Sequence, residues 1–488
     1  MSDAAALLNP DETCWRIESA DKVRVIIDGA DYFPAVKRAM LSARKTIMMI
    51  GWDFDTRLQF EPKGQTLEGP NELGKFLDWL VHDREELDLY MLKWDMGTLE
   101  ALGRGMVPIA VRPMRFAEHF HFKLDSEHPA GAAHHSKIII IDDRVAFCGG
   151  IDMTAGRWDT REHLDDQSSR GLPQNDEPEK PWHDVTTAVS GSVAAALGDL
   201  ARQRWYRATG EELSPPEVQT PPGWPDLETT FENVPVAIAR TYPDYKDFDE
   251  IREIEALYLK AIAQAQETFY VETQYLASAK IARAIADRLA EPDGPEFIVI
   301  LPHKAEGWLR QKAMDGARER LLRFLWSNDP HGRFRAYYPV TEGGNDIYVH
   351  AKVLIVDDKL LRVGSSNLNN RSMGFDTECD LAIEAKACSN PEAVTRTIIA
   401  LRNDLVGEHL GVEPSRVAEE MDATGSLKAA IERLRDDRRS LRPFSNGSLK
   451  EDESVLAENE LADPESVGRG LAGRLSEGVR ELVEEATG

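Results

Sequence analysis

His135 and Lys137 stand two residues apart, immediately ahead of Ile138-Ile139-Ile140-Ile141 and Asp142. His350 and Lys352 stand in the same relation to Val353-Leu354-Ile355-Val356 and Asp357. Each block reads His, any residue, Lys, four apolar residues, Asp. A glycine turn follows each one, Gly149-Gly150-Ile151-Asp152 in the first and Gly364-Ser365-Ser366-Asn367 in the second. On an extended strand, residues i and i+2 share a face, so each His and its Lys point the same way. Two such blocks meeting across a pseudo-twofold axis converge two imidazoles and two ammonium groups on one pocket. That set suits a phosphate ester. The lysines hold fixed charge against a phosphoryl group whose charge grows in the transition state. One histidine attacks phosphorus and the other protonates the leaving oxygen. His135, His350, Lys137 and Lys352 are therefore catalytic candidates. Asp142 and Asp357, which complete the motifs and end their strands, are grouped with them.

A nucleophilic histidine has to be held in one tautomer, which calls for a carboxylate behind it. Glu378-Cys379-Asp380-Leu381-Ala382-Ile383 aligns with Asp184-Val185-Thr186-Thr187-Ala188-Val189, the next strand in each half. Asp184 and Glu378 are the expected orienting pair, with Asp380 the alternative in the second half. Asn367, Ser365 and Asp152, after the glycine turns, join Lys137 and Lys352 as candidate phosphate-binding residues. An amide at 367 can donate to a phosphate oxygen and an ionised carboxylate at 152 cannot, so the halves differ there. Local turn hydrogen bonding is the competing role for these three. Glu272 and Gln274 lie where a side chain can face the pocket. His134 and His183 read as structural. Trp52, Trp182, Trp308 and Trp326 read as core residues, with a lipid-accepting mouth the alternative use of their indoles.

The elements that must position these groups repeat. Residues 23–27 suggest a short strand, 32–43 a helix, and 46–52 a buried strand with a continuous apolar run. A helix over 72–82 and strands over 87–94 and 107–111 follow. In the second half a helical period over 251–265 runs into a strand at 268–275, then a strand at 297–301 and a helix with Ala313, Ala317, Leu321 and Phe324. Helix-strand alternation in both halves predicts two α/β units. The expected boundaries are 1–208 for the first, 231–415 for the second, and 209–230 for a proline-rich linker between them. The stretch 165–181 reads as a surface loop. Residues 416–488 read as an acidic helical or partly disordered tail, with helices marked by Leu427, Ile431, Leu434 and by Leu471, Leu475, Val479, Leu482.

The chain has 488 residues, 42% hydrophobic and 29% charged, as an ordinary globular protein has. Its formal charge of −27 argues against non-specific nucleic-acid binding, which rests on cations neutralising phosphates. Cys14, Cys148, Cys379 and Cys388 show no metal spacing and read as free thiols. No apolar run is long enough to span a bilayer, and the first residues lack the pattern of a signal peptide, so the expected location is cytoplasmic.

The paired blocks resemble the HKD motifs of the phospholipase D superfamily. GGIDMTAGRWDT and PWHDV resemble the stretch after the first motif in phospholipases D. VETQYL and GSSNLNNRSM resemble their second-half signatures, and the likeness runs over residues 23–411. It implies an α/β fold of two pseudo-twofold-related domains, each a mostly parallel sheet flanked by helices, in a monomer. It further implies a covalent phosphohistidine with no obligatory metal and no cofactor. By the same analogy His135 is the nucleophile and His350 the acid, with the reverse assignment open. Asp152 departs from the Asn of the wider superfamily, as phospholipases D of the GGID type do. The expected activity is headgroup cleavage on phospholipids at a membrane surface, with water or an alcohol as acceptor and peripheral attachment. Cardiolipin-synthase-like phosphatidyl transfer and a nuclease of the same superfamily are the alternatives. A silent binding protein has no need to keep both His/Lys pairs.

Overall fold

The computed structural model describes residues 6–95, 118–171, 179–220, 222–304, 308–445 and residue 463, with the backbone alone over 308–314. The strand expected at 107–111, the second tail helix and the Trp308 side chain lie outside the described residues. The first half supplies β1 (Arg16–Ile27), β2 (Thr46–Gly51), β3 (Asp88–Trp94), β4 (Phe120–Asp125), β5 (Ile138–Ile141), β6 (Val145–Gly149), β7 (Trp182–His183) and β8 (Val185–Gly191). The second half supplies β9 (Phe231–Tyr242), β10 (Ile251–Arg252), β11 (Thr268–Glu272), β12 (Glu296–Ile300), β13 (Phe334–Val340), β14 (Tyr348–Val349), β15 (Val353–Val356), β16 (Leu360–Gly364), β17 (Glu378–Glu384) and β18 (Ser440–Pro443).

Among the described residues these form one sixteen-stranded sheet and one separate two-stranded ribbon. The centre of the large sheet is the antiparallel pair β1–β9. From β1 the order runs β8-β6-β5-β2-β3-β4, and from β9 it runs β17-β16-β15-β11-β12-β13. Strand for strand, one half repeats the other around that central pair. The sheet therefore carries the duplication seen in the two motifs.

The α/β class and the two-unit organisation hold, but the sheet is mixed. Only β2–β3–β4 and β11–β12–β13 pair in parallel. The motif strands β5 and β15 are antiparallel to both neighbours. A mostly parallel sheet was expected from the helix-strand alternation in both halves and from the apolar run at 46–52, and the apolar motif strands fit that reading without requiring it. Their apolar character comes from coverage of both faces. Ile138 and Ile140 enter the cluster that also buries Val193, Leu197 and Trp205 of the helix Ser192–Thr209. Ile139 and Ile141 enter the cluster with Phe33, Val36 and Met40 of the helix Gly29–Ser42. In the second half the helices Pro391–Leu410 and Glu253–Gln264 cover the two faces in the same way.

Each motif strand ends in a three-residue hairpin, closed by the pairs Ile141–Val145 and Val356–Leu360. Asp142 and Asp143 have φ of 52° and 54°, and Asp357 and Asp358 have φ of 50° and 56°. Two consecutive left-handed residues are the signature of the tight turn that suits strand twist, and Asp tolerates that region better than most residues.

The proline-rich stretch has no helix or strand among its described residues from 211 to 230, and Trp224 and Leu227 lean on the first-half core. Residues read as the start of a tail belong to the folded body. The helices Pro414–Thr424 and Leu427–Leu434 follow the main second-half helix, and β18 pairs with the outer strand β13. No described helix is long and apolar enough to cross a membrane.

Candidate active site

What brings the two motifs together is a pair of short parallel bridges between the halves. Tyr348-Val349, just before His350, pairs with Trp182-His183, just before Asp184. In the mirrored place His134, just before His135, bridges Thr377, just before Glu378. The His350 amide donates to the His183 carbonyl at 2.8 Å, and the His135 amide donates to the Thr377 carbonyl at 2.9 Å. Each histidine is thereby carried to the carboxylate of the opposite half. His350 Nδ1 lies 2.6 Å from Asp184 Oδ2, and His135 Nδ1 lies 3.0 Å from Glu378 Oε2. With Nδ1 fixed on a carboxylate, each Nε2 is left for chemistry.

The two carboxylates are held differently, in a way that matches their lengths. Glu378 accepts the Ser365 hydroxyl at 2.5 Å and the Ser372 hydroxyl at 2.6 Å. Asp184 is one methylene shorter and lies against Gly150, where an added Cβ would overlap Oδ1. Gly150 occupies the position that Ser365 holds in the second half. A bare backbone there admits the shorter acid.

Lys137 Nζ donates to the His135 carbonyl at 2.8 Å, and Lys352 Nζ donates to the His350 carbonyl. Each lysine braces its own histidine's backbone, but their charges are balanced differently. Lys137 lies 3.1 Å from Asp152 Oδ2. Across the pseudo-twofold the matching residue is Asn367, whose amide nitrogen meets Gln274 Oε1 at 3.5 Å and whose Oδ1 is buried without a protein partner. Lys352 therefore has no matching carboxylate at that place.

Burial, with the charges of Lys137 and Lys352 added, holds His135 well below the usual imidazole range. Burial and then Lys352, Arg157 and Lys137 do the same to His350. Burial pushes Glu378 up to about 8 against the pull of its two serine donors, and raises Asp184 against Lys352. Burial outweighs Asp184 and brings Lys352 down to about 7. Each histidine responds to both lysines, so the four groups share one electrostatic site. In its free form that site favours neutral imidazoles and loosens the Lys352 proton. An entering phosphodiester anion acts in the opposite direction on all of them.

The expected residues sort as follows. His135, His350, Lys137, Lys352, Asp184 and Glu378 converge, and Asn367, Asp152 and Gln274 border them. Ser365 does not offer its hydroxyl to a phosphate, because it donates to Glu378 and accepts the Cys379 amide at 3.0 Å. Asp142 and Asp357 lie at the far ends of β5 and β15. Asp142 accepts the amides of Arg44, Lys45 and Thr46 at 2.6, 2.7 and 2.8 Å, and Asp357 those of Gln266, Glu267 and Thr268 at 2.8, 2.8 and 2.9 Å. They clamp the start of the neighbouring strand rather than touch the pocket. Asp380 binds Arg362 Nε at 2.8 Å and the Ser365 amide at 2.9 Å, which leaves Glu378 as the carboxylate on the histidine. Glu272 turns away from the pocket, towards His183 at 2.8 Å. His134 is buried among Asp125, Arg204 and Thr377.

Beside the histidines stand Trp52 and Trp182, read from the sequence as core residues with a lipid-accepting mouth as the alternative, together with Arg157, Tyr348, Trp94 and Ser372, which were not singled out. Trp182 stacks on Tyr348 at 4.6 Å and lies 5.2 Å from the His350 ring. Arg157 lies over Trp182 at 3.9 Å. On the other side Trp52 stacks on Trp94 and meets the edge of His135 at 6.4 Å. Arg157 and Ser372 both fall inside the signature stretches GGIDMTAGRWDT and GSSNLNNRSM, which was the available signal.

Residues 39–233 match the family model described as Phospholipase D, and residues 258–396 match the one described as Cardiolipin synthase, PLD-like domain. Phospholipase D A of Dictyostelium discoideum is 23% identical in an alignment covering 80% of this chain and 36% of that protein. Phospholipase D1 of Schizosaccharomyces pombe is 24% identical over 80% of this chain and 35% of that one. The chain thus spans about a third of the length of these relatives. Among solved structures, phosphatidylserine synthase of Haemophilus influenzae superposes with a TM-score of 0.54 at 12% identity, covering 85% of this chain and 95% of the other. That likeness is one of fold.

Proposed function

The chain belongs to the phospholipase D superfamily, and from that premise we propose that it cleaves the headgroup phosphodiester of phospholipids through a covalent phosphohistidine. The observation that carries this reading is the crossed pair of histidine–carboxylate contacts with a lysine beside each. His135 Nε2 attacks phosphorus, and the bond from phosphorus to the headgroup oxygen breaks. That oxygen takes the Nε2 proton of His350, which Asp184 stabilises as an imidazolium. In the second step His350 removes a proton from water or an alcohol, whose oxygen displaces His135 from phosphorus. Assignment of His135 as nucleophile is supported by access: its side chain is 16% exposed, against 5% for His350. Lys352 and Lys137 hold the phosphoryl oxygens, and the Asn367 amide adds a donor on the side where no carboxylate opposes it. The half-buried Trp52 and the buried Trp94 and Trp182 supply apolar aromatic walls beside the two histidines. Attachment to a membrane is peripheral and local, since a net charge of −27 opposes general attraction to anionic bilayers.

The test is incubation with phosphatidylcholine vesicles and a primary alcohol, repeated with other headgroups. A phosphatidyl-alcohol product supports transfer through the covalent intermediate, and phosphatidic acid alone supports hydrolysis. If no phospholipid yields either product, the lipid substrate is wrong.

The pH dependence should carry the mark of Lys352. Its ammonium is held down to about 7 in the free protein. It is charged below that pH and neutral above it, so phosphate capture weakens as pH rises. His350 must also carry its proton in the first step and loses it well below the usual imidazole range in the free protein. Log kcat/KM is therefore already expected to fall with a slope of about −1 in mildly acid solution and to steepen to about −2 above roughly pH 7, where KM accounts for the added fall. The attacking imidazole is already neutral well below 6.5, so no acid limb from His135 is expected near that value. In Lys352→Arg the guanidinium stays charged, and the steepening above roughly pH 7 should disappear from whatever activity survives, leaving the slope of about −1 set by His350.

A further inference from the structure

We infer that Asp28, His163, His183 and Glu408 form a binding site for one divalent transition-metal ion, of the zinc class, buried directly behind the phosphate site. Four separate segments supply the donors: the residue before the first helix, a loop, β7, and the helix Pro391–Leu410. All four side chains are essentially closed to solvent, and one donor atom from each lies within 4.8 Å of the others. His163 Nε2 is 3.1 Å from Glu408 Oε1 and 3.5 Å from Asp28 Oδ2. His183 Nδ1 is 2.8 Å from Glu408 Oε1 and 3.4 Å from Asp28 Oδ1. Neighbouring ligands of a tetrahedral zinc with bonds of about 2.0–2.1 Å are separated by roughly 3.3 Å, and these separations straddle that value.

Two independent features point to an ion rather than to a self-contained hydrogen-bond network. The first is Asp28, 1% exposed, whose Oδ2 faces the cluster without a hydrogen-bond partner. The second is the setting of the histidines. His163 turns its remaining nitrogen, Nδ1, to Asp159 at 3.0 Å, and His183 turns its remaining Nε2 to Glu272 at 2.8 Å. An outer carboxylate on the far nitrogen is the arrangement that fixes the tautomer and direction of a metal-bound imidazole. Two imidazoles and two carboxylates also match the ion in kind and in charge: nitrogen donors select zinc-like metals over magnesium or calcium, and two anions neutralise a dication.

The site is tied to the reacting groups through the backbone. The Asp28 amide donates to the Asp184 carbonyl at 2.8 Å, and the Asp184 amide donates to Asp28 Oδ1 at 3.0 Å. The His183 carbonyl receives the His350 amide. An ion here holds in place the carboxylate that orients His350 and takes no part in the phosphoryl step. The inference does not depend on the identity of the substrate.

The full chain, purified without a metal-chelating tag and stripped with a chelator, is titrated with zinc chloride and with cobalt chloride. The expected results are one ion per chain, the intense visible bands of tetrahedral cobalt, and a zinc absorption-edge spectrum with nitrogen and oxygen neighbours and no sulfur. A tenfold excess of magnesium or calcium should not compete. Asp159→Asn, which removes only the outer partner of His163, should weaken zinc binding about 10–100-fold, and Glu408→Gln by at least as much. No stoichiometric uptake by the stripped protein, six-coordinate cobalt, a sulfur ligand, or unchanged affinity in both variants overturns the site. Should a variant fail to fold, the wild-type titration and edge spectrum decide alone.

Discussion

His135→Ala is expected to lower turnover by roughly a hundred-thousandfold on every substrate, because it removes the atom that bonds to phosphorus. His350→Ala is expected to cost about a hundred- to ten-thousandfold on a natural headgroup, the range of a missing general acid. The two losses separate with a phosphodiester whose leaving group is p-nitrophenolate, which departs without a proton. On that substrate His350→Ala should recover the first step and give a burst of p-nitrophenolate equal to the protein concentration, then stall, since nothing activates the water. His135→Ala should give no burst. The reverse pattern assigns the nucleophile to His350, and equal residual rates on both substrates discard the covalent step. Glu378→Gln and Asp184→Asn extend the cycle. Each leaves the histidine in place and disturbs its tautomer, so the larger effect of the two should follow the histidine on which the slow step depends.

The groups that converge in this site were legible because their pattern is written locally and written twice. His-x-Lys followed by an apolar strand fixes which side chains share a face, and the second copy makes coincidence untenable. Asp184 and Glu378 were reachable for the same reason, since both open the strand that follows a motif hairpin in its own half. What no local pattern encodes is that the carboxylates cross over. Glu378 serves His135 and Asp184 serves His350 through bridges between residues more than a hundred positions apart. The direction of the strands was hidden for a different reason. Four consecutive apolar residues report that both faces of β5 are covered, and helices cover both faces whether the neighbours run parallel or antiparallel. Ser365 shows the limit of reading a residue type: a hydroxyl after a glycine turn is a plausible phosphate donor until a buried glutamate is found to accept it. The cluster around Asp28 shows the limit of spacing. Its four donors span residues 28 to 408 and offer no motif to read.

Asp142→Ala is expected to reduce stability by about 3–4 kcal/mol while leaving the chemistry of the folded protein intact. The carboxylate is 1% exposed and accepts three consecutive amides ahead of β2. Hydrogen bonds to a charged group contribute about 1.5–3 kcal/mol each and are not additive, and a left-handed residue other than Asp, Asn or Gly adds a further cost of roughly 1 kcal/mol. Asp357→Ala breaks the mirrored clamp, but two of its three amides, those of Gln266 and Glu267, are held at the exposed surface, where water replaces the lost partner. Its expected cost is about 1–2 kcal/mol. Urea titration should show both midpoints lowered at unchanged m, in that order. Below the transition, kcat per folded molecule should stay within about threefold of wild type. The ground for this is distance: the four residues of β5 lie between them, so Asp142 stands five residues, about 16 Å, along the strand from Lys137. A large fall in kcat with normal stability would return the aspartate to the reacting groups. The expected result instead divides the motif by physical role. His and Lys act at one end of the strand, and Asp secures the other end so that the first two arrive in register.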